Sequence, residues 1–392
     1  MTRQIAALAC ALAVTLTTSS LAQVNPRVDP GVLQKIRAEG MDRSQVMSVF
    51  DQFVTAIGPR LAGSPEYKKA ADWARDTLSS WGLADARLES WEFGRGWELE
   101  RLVIEMVEPR YMPLHAYAEA WSASTRGEIS GAPIFVGGKP LADLTAMRGR
   151  LAGAIVLSQP LVTAFVRADR VQPTTSGTPV RPGAPPMPRQ GTQNQASPQQ
   201  VAQLLREAGA GAILRSSAGE HGTVFVLGRD QGANAQPSIV VAAEHYNMVA
   251  RMVENGHPVK LRVNMQTRFL TKDTSSYNVV AEIPGTDPAL KDGVVLLGAH
   301  LDSWHTGTGA TDNADGSAAV MEAMRILKAI GARPRRTIRV ALWGGEEEGL
   351  LGSRAYVAAH YAGAANKVAR DNVAAYLNLD PGMGPVYGWY ME

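Results

Sequence analysis

The sequence predicts an α/β fold in which a mainly parallel mixed sheet is flanked by helices and a smaller α/β domain is inserted. From residue 276 onward, segments of strand composition alternate with segments of helical periodicity, which is typical of a mainly parallel sheet. Between residues 125 and 270 the strands are shorter and the turns contain more glycine. With 392 residues, 45% of them hydrophobic, the chain can bury the cores of more than one domain.

Residues 1–22 have the pattern of a secretory signal peptide. Arg3 provides a positive charge, residues 5–16 form an apolar stretch too short to cross a bilayer, and residues 20–22 form a small-x-small cleavage site. The pattern predicts export, to the periplasm or the medium. The single cysteine, Cys10, lies inside this segment, so the exported protein would have no disulfide. A lipoprotein signal at Cys10 is the weaker alternative, because the apolar stretch before it is very short.

The charge balance argues against two classes of partner. The chain has 39 basic and 37 acidic residues, a net charge of +2, which favours neither nucleic acid nor an anionic membrane. We therefore expect no nucleic acid partner and no transmembrane segment.

Residues 23–124 are predicted to form the first part of the main domain. Ser64 is a typical helix N-cap, Pro65 suits the first helical turn, and Glu66 complements the helix dipole. We interpret this part as scaffold. The expected elements are helices at 29–39, from 44, and at 64–81, and strands at 86–93 and 102–107.

Residues 125–270 are predicted to form the inserted α/β domain. Within them, residues 171–200 are rich in Pro, Thr, Gln and Gly and cannot offset their ordering entropy by burial. We expect a tolerated surface loop there, with a lid as the alternative. The other expected elements are helices at 200–208 and 245–255 and strands at 133–136, 154–157, 213–214, 239–241 and 261–263.

Residues 271–392 are predicted to form the core of the main domain. Residues 294–297 are an apolar run of the length of a buried strand, and residues 316–330 have the composition of a buried helix. The other expected elements are strands at 278–283, 336–343 and 373–379 and a helix at 353–361.

Polar residues follow three of these strands. Strand alternation directs His300 and Asp302 to one side, Glu346-Glu347-Glu348 follows the next strand, and Asp380 ends the last. Asp312 lies in a glycine-rich turn before a helix. Because the carboxyl ends of parallel strands share one edge of a sheet, these side chains should converge. Their charges would repel one another without a cation, so the pattern predicts a divalent metal, with zinc favoured over manganese or cobalt.

Each piece alone also has an ordinary structural interpretation. His300 is compatible with a simple strand end, and Asp312 and Asp380 with turn positions. Three glutamates in a row are typical of a helix start, where they complement the dipole. The combination, rather than any single residue, favours the metal site.

Six segments together resemble the di-zinc exopeptidases related to bacterial leucyl aminopeptidase, most closely the carboxypeptidase Q (plasma glutamate carboxypeptidase) branch. The resemblance covers nearly all of the chain after the signal peptide. It implies a zinc exopeptidase-like fold, with residues 125–269 as a protease-associated domain. The segments are IGPRLAGS from Ile57, VVAEIPG from Val279, GAHLDSW from Gly298, TDNADG from Thr311, LWGGEEEGLLGS from Leu342 and NLDPG from Asn378.

The resemblance implies a set of ligands for two zinc ions. His300 and Asp380 would bind one zinc, Asp312 would bridge both, and Glu347 would bind the second. A hydroxide bridging the two ions would attack the substrate.

It also implies roles for three neighbouring residues. Glu346 would be the general base, Asp302 would orient His300, and Glu348 would not be a ligand.

The family's late histidine ligand has no counterpart in this sequence. It is expected some tens of residues after Asp380, and the sequence ends at Glu392. We therefore expect a fragment without its C-terminal part, which holds about one zinc per chain and hydrolyses peptides poorly. His305 is the histidine nearest in sequence to the predicted metal site, and we interpret it as a structural loop residue.

The resulting prediction is an exported zinc-dependent exopeptidase that acts on dipeptides or the terminal residues of short peptides. Whether it is a carboxypeptidase, a dipeptidase or an aminopeptidase is left open, as is a homodimer. Two alternatives of other classes are a glutaminyl cyclase-like acyl transferase and a catalytically inactive binding protein of the same fold.

Overall fold

The computed structural model describes residues 29–165, 195–380 and 382. The predicted signal peptide with Cys10, and the predicted loop as far as residue 194, lie outside the described residues. No helix of the described part is long and apolar enough to cross a membrane.

Ten α-helices and fourteen strands occur in the described ranges. The helices are α1 (Pro30–Asp42), α2 (Val46–Asp51), α3 (Pro65–Ser80), α4 (Leu141–Ala146), α5 (Arg148–Leu151), α6 (Pro198–Ala208), α7 (Ala243–Glu254), α8 (Asp315–Ala329), α9 (Leu351–His360) and α10 (Lys367–Asp371). The strands are β1 (Ala84–Glu92), β2 (Gly96–Glu108), β3 (Met112–Pro113), β4 (Ala116–Ala118), β5 (Ile129–Gly131), β6 (Ile134–Phe135), β7 (Ile155–Leu157), β8 (Ala212–Ser216), β9 (Ser238–Val241), β10 (Lys260–Leu270), β11 (Ser275–Ile283), β12 (Val294–His300), β13 (Thr337–Trp343) and β14 (Val373–Asn378). A π-helical turn (Gln52–Ile57) continues α2, and another (Ala310–Ala314) precedes α8.

The central sheet has five strands in the order β1-β11-β13-β12-β14. β12 runs parallel to both β13 and β14, whereas β11 is antiparallel to β13 and to β1. The predicted mixed sheet is confirmed. It is not mainly parallel, however, because only two of its four pairs of neighbouring strands are parallel. The reason is that the chain leaves the sheet after β1 for a long segment and returns at β11, which runs in the direction opposite to β13.

Helices cover both faces of the central sheet. On one face Phe53 of the first π-turn, Tyr67 of α3 and Met321 of α8 pack against the sheet. On the other face Tyr356 of α9 packs against Trp343. As predicted, Ser64 caps α3 by accepting a hydrogen bond from the amide of Tyr67. This sandwich holds the strand ends that carry the polar residues.

The described residues between 96 and 270, here called the middle unit, form two further sheets. One is antiparallel in the order β3-β2-β10-β5, and the other has the order β4-β9-β8-β7-β6. The long strands β2 and β10 pair from Lys260 with Glu108 to Leu270 with Gly96. β4 precedes the predicted boundary at residue 125, yet it pairs with β9. The inserted domain at 125–270 therefore stays a prediction.

Candidate metal centre

Three side chains meet at the carboxyl end of β12. Nε2 of His300 lies 2.9 Å from Oδ1 of Asp312 and 3.2 Å from Oδ1 of Asp380. One potential ligand atom from each of the three residues lies within 4.8 Å of the others. Zinc bonds of the usual length give tetrahedral ligand–ligand separations of about 3.3 Å. The sequence-predicted His300, Asp312 and Asp380 are thus brought together at a spacing that suits a metal ion.

The sheet and two buried hydrogen bonds place these three residues. β12 ends at His300, and the parallel strand β14 ends two residues before Asp380. The side chain of Asn313 donates to the carbonyl of Leu379 at 2.9 Å, and the hydroxyl of Ser317 donates to the carbonyl of His300 at 2.7 Å. These bonds could not be predicted from the sequence, because Asn and Ser near a turn are common and carry no specific signal.

Asp302 is fully buried and holds the turn that carries the glutamates. Its Oδ1 accepts a hydrogen bond from the amide of Glu346 at 3.2 Å, and its Oδ2 accepts one from the amide of Glu347 at 3.1 Å. Nδ1 of His300 lies 3.1 Å from the main-chain oxygen of Asp302 and 3.6 Å from its carboxylate. On the Nδ1 side, the closer contact of His300 is therefore with the main chain of Asp302, while the Asp302 carboxylate fixes the neighbouring turn.

The three glutamates occupy a turn between β13 and α9. Since α9 begins at Leu351, they do not form the first turn of a helix. Oε2 of Glu346 lies 3.9 Å from Nε2 of His300. Glu347 is close enough to Asp312 for that carboxylate to affect its pKa, although it is not one of the three residues grouped at 4.8 Å in the described part of the chain.

The electrostatics of these carboxylates indicate uncompensated negative charge. Burial, and then repulsion from Asp312, raises the pKa of Glu347 to about 8. Burial, and then repulsion from Asp302, raises the pKa of Glu348 to about 9. Burial also raises the pKa of Glu346. A divalent cation among these groups would offset the repulsion and favour their charged forms.

The pKa of His300 is also raised, which favours its charged form, whereas the raised pKa values of the glutamates favour their neutral forms. Burial alone lowers the pKa of His300, but hydrogen bonding to Asp302, Asp312 and Asp380 outweighs burial and raises it. One imidazole nitrogen with several carboxylate oxygens is a donor set that zinc accepts. The residues present therefore fit zinc.

Two further residues of interest lie outside the ligand group. His305 donates from Nε2 to the carbonyl of Ala118 at 2.8 Å and packs against Trp97, with ring centroids 5.1 Å apart. Its Nδ1 is buried without a hydrogen-bond partner in the described structure, so the structural role expected for His305 stays a prediction. Arg60, in the segment interpreted as scaffold, is fully buried and bonded to the loop before Asp312. Its importance was missed because the burial of a charged side chain cannot be read from a motif.

Comparisons with known proteins agree with this geometry. The sequence profile of Peptidase family M28 matches residues 278–385, which include all three converging residues. Carboxypeptidase Q of Bos taurus is 29% identical over 314 residues, a match that covers 80% of this chain and 61% of that protein. The chain thus spans 61% of the length of this curated relative.

Solved structures give the same result. The crystal structure of a Peptidase M28 precursor from Shewanella amazonensis has a TM-score of 0.62 at 27% identity, over 91% of this chain and 75% of that one. A zinc aminopeptidase from Bacillus subtilis shares the fold, with a TM-score of 0.53 at 19% identity, over 86% of this chain and 68% of that one. The predicted family resemblance is confirmed: residues 278–385 match peptidase family M28.

Proposed function

We propose that this protein is an exported metallo-exopeptidase that hydrolyses dipeptides or the terminal residues of short peptides. The observation that supports the proposal most directly is the convergence of His300, Asp312 and Asp380 beside a buried glutamate turn. The names of the similar proteins, a carboxypeptidase and a zinc aminopeptidase, support the same reaction class.

The residues that would hold zinc are the sequence-predicted set. His300, Asp312 and Asp380 would bind one ion, and Asp312 and Glu347 would bind a second. Zinc, when bound, would lower the pKa of a coordinated water and polarise the peptide carbonyl. Nδ1 of His300 faces the main-chain oxygen of Asp302, so its proton belongs on Nδ1 and Nε2 is left free as the ligand atom.

Glu346 is the proposed general base. Its carboxylate lies at the edge of the ligand group, 3.9 Å from Nε2 of His300. It would accept a proton from the attacking water and deliver it to the leaving amine. Asp302 supports this role, because it binds the amide of Glu346 and so fixes where the side chain begins.

The test is Glu346→Gln in full-length protein, with zinc content and peptide hydrolysis both measured. The amide keeps the size of the side chain but removes the base, so we expect normal zinc content and about 10²- to 10⁴-fold slower turnover. Glu348→Gln is the matched control, because the neighbouring residue is assigned neither as a ligand nor as a base, and it should keep both properties. A near wild-type rate in Glu346→Gln would refute the assignment of the base.

The substrate panel separates the remaining alternatives. The panel consists of dipeptides and of tripeptides blocked at the N-terminus or the C-terminus. Release of free amino acids from the dipeptides would show exopeptidase activity, and the blocked tripeptide that resists hydrolysis would show which peptide end is cleaved. Pyroglutamate formed from a glutaminyl peptide would indicate an acyl transferase instead. Zinc binding without hydrolysis of any peptide in the panel would indicate the inactive binding protein.

A further inference from the structure

We propose that Arg60 is a positioning residue that clamps both ends of the loop between His300 and Asp312 and so sets the distance between these two zinc ligands. The inference rests on the proposed metal site. It concerns a residue outside the ligand set and outside the region matched by the family profile.

The guanidinium of Arg60 contacts the loop at its beginning and at its end. Nε donates to the carbonyl of Leu301 at 2.8 Å, next to His300. Nη1 donates to the carbonyl of Thr308 at 2.8 Å, and Nη2 donates to that of Gly309 at 3.1 Å, three residues before Asp312. The two ends of the loop are therefore joined through one side chain.

The main chain of Arg60 adds a second connection to the same loop. Its amide donates to the hydroxyl of Ser303 at 3.1 Å, and its carbonyl accepts from the amide of Ser303 at 3.1 Å. The loop therefore cannot shift relative to residue 60 without breaking several buried hydrogen bonds.

The other end of the clamp is anchored in the scaffold. Nη1 also donates to the carbonyls of Phe53 at 3.1 Å and Gly58 at 2.8 Å, at the π-helical turn that packs under the central sheet. The guanidinium carbon of Arg60 lies 5.7 Å from the centre of the Phe53 ring. Arg60 thus connects this π-helical turn to the loop that precedes Asp312.

The chemistry of the site requires an arginine. The five side-chain hydrogen bonds described for Arg60 all go to main-chain carbonyls. One leaves Nε, one leaves Nη2, and three share the two hydrogens of Nη1, whereas a lysine has three donors on a single atom. Burial lowers the pKa of Arg60 to about 10, partly offset by Asp302, so the group is charged at neutral pH. The buried cation also counters the negative charge of Asp302.

Gly309 shows how closely the clamp fits. Its φ is +56°, and a Cβ there would lie 2.3 Å from Cβ of Ser303 and 2.8 Å from Nη2 of Arg60. Gly307, two residues earlier in the same loop, has open space around its Cβ position and no such φ. The pair offers a disruptive substitution and a matched neutral one.

The experiment measures metal binding rather than activity. Zinc affinity is determined by chelator competition, and the ligand geometry by the absorption spectrum of the cobalt(II) protein, with folding checked by circular dichroism. We expect Arg60→Met and Gly309→Ala to weaken zinc binding about 10- to 100-fold and to alter the cobalt spectrum. Arg60→Lys should lie between wild type and Arg60→Met, and Gly307→Ala should match the wild type.

Arg325→Met serves as a control for general destabilisation, because Arg325 is buried but lies on the far part of α8. It should lose stability and keep the wild-type zinc affinity. A folded Arg60→Met or Gly309→Ala with wild-type affinity and an unchanged cobalt spectrum would overturn the inference. If Arg60→Met does not fold, Gly309→Ala decides. A wild-type protein that binds no zinc would instead overturn the proposed function itself.

Discussion

Two groups of charged side chains in this molecule, each with a buried centre, have opposite electrostatics. The Arg325 cluster comprises Arg325, Glu322, Glu39 and Arg43. Arg325 donates to both oxygens of Glu322 at 2.7 and 2.9 Å and to Glu39 at 2.7 Å, and Arg43 donates to the second oxygen of Glu39 at 2.7 Å. Two carboxylates therefore face two cations.

The site cluster has one imidazole for six carboxylates, and Arg60 offsets the charge of one of these, Asp302. The cluster comprises His300, Asp302, Asp312, Glu346, Glu347, Glu348 and Asp380. Three of its glutamates have raised pKa values, whereas Glu322 and Glu39 have lowered ones. The Arg325 cluster is balanced by the protein itself and stabilises the fold. The site cluster is left unbalanced, which is the arrangement that a bound cation would complete.

The largest expected effect is on stability, when a substitution removes the central cation of the Arg325 cluster. Arg325→Met leaves two carboxylates without their shared cation in a buried place, so we expect a loss of about 3–5 kcal/mol in the free energy of unfolding, measured with urea. Arg335→Met is the exposed control: its side chain is 72% exposed and pairs with Asp287, so a change of about 1 kcal/mol or less is expected. Equal losses in both variants would contradict the balance argument.

The next largest expected effect is the gain in stability when zinc binds to the site cluster. Zinc at a hundred times its dissociation constant should stabilise the wild type by about 2.7 kcal/mol, seen as a higher unfolding midpoint. Asp312→Ala should lose both metals and this stabilisation, because it removes the proposed shared ligand while the other carboxylates still repel one another. Two tightly bound zinc ions in Asp312→Ala would refute the bridging role.

A pair of matched substitutions should differ in sign. Neither oxygen of Glu348 accepts a hydrogen bond in the described structure, although both are buried. Glu348→Met should therefore stabilise the metal-free protein by about 1–3 kcal/mol, the cost of an unsatisfied buried polar group. Glu322→Met should destabilise it, because it breaks the bonds to Arg325. Urea denaturation of both variants measures the sign of the change in unfolding free energy. A destabilised Glu348→Met would contradict the prediction.

The smallest effect is the acid dependence of the Arg325 cluster. Burial raises the pKa of Glu322, but hydrogen bonds from Arg325, Gln45 and Ser44 outweigh burial and lower it below the usual 4.5. The folded state then binds fewer protons than the unfolded state, so the stabilisation is complete above about pH 4.5 and is lost as the pH falls through the folded-state pKa. Stability measured from pH 7 to pH 3 should therefore fall less steeply in Glu322→Gln than in the wild type.

Local rules were enough to predict that several side chains of the site cluster lie together. Strand composition and alternation located His300 and Asp302, and the rule that parallel strand ends share an edge brought Asp380 to them. The order of β13, β12 and β14 in the sheet agrees with that rule.

The remainder depended on contacts between distant parts of the chain. Glu39 and Arg325 are 286 residues apart, and on α8 alone Glu322 and Arg325 look like an ordinary exposed i,i+3 pair. The antiparallel strand β1 could not be placed either, because its partner β11 lies beyond the whole middle unit. Arg60 was missed for the same reason, since its loop partners lie 241 to 249 residues away.

The pairing of Gly96 with Leu270 has a consequence for the order of folding. These residues mark where the chain leaves the central sheet after β1 and where it returns before β11. Closing so long a loop costs conformational entropy that only contacts inside the loop can repay early. Once β2 and β10 have paired, β1 and β11 are brought side by side at the next residues along the chain. We therefore expect the β2–β10 ribbon to form before β1 pairs with β11.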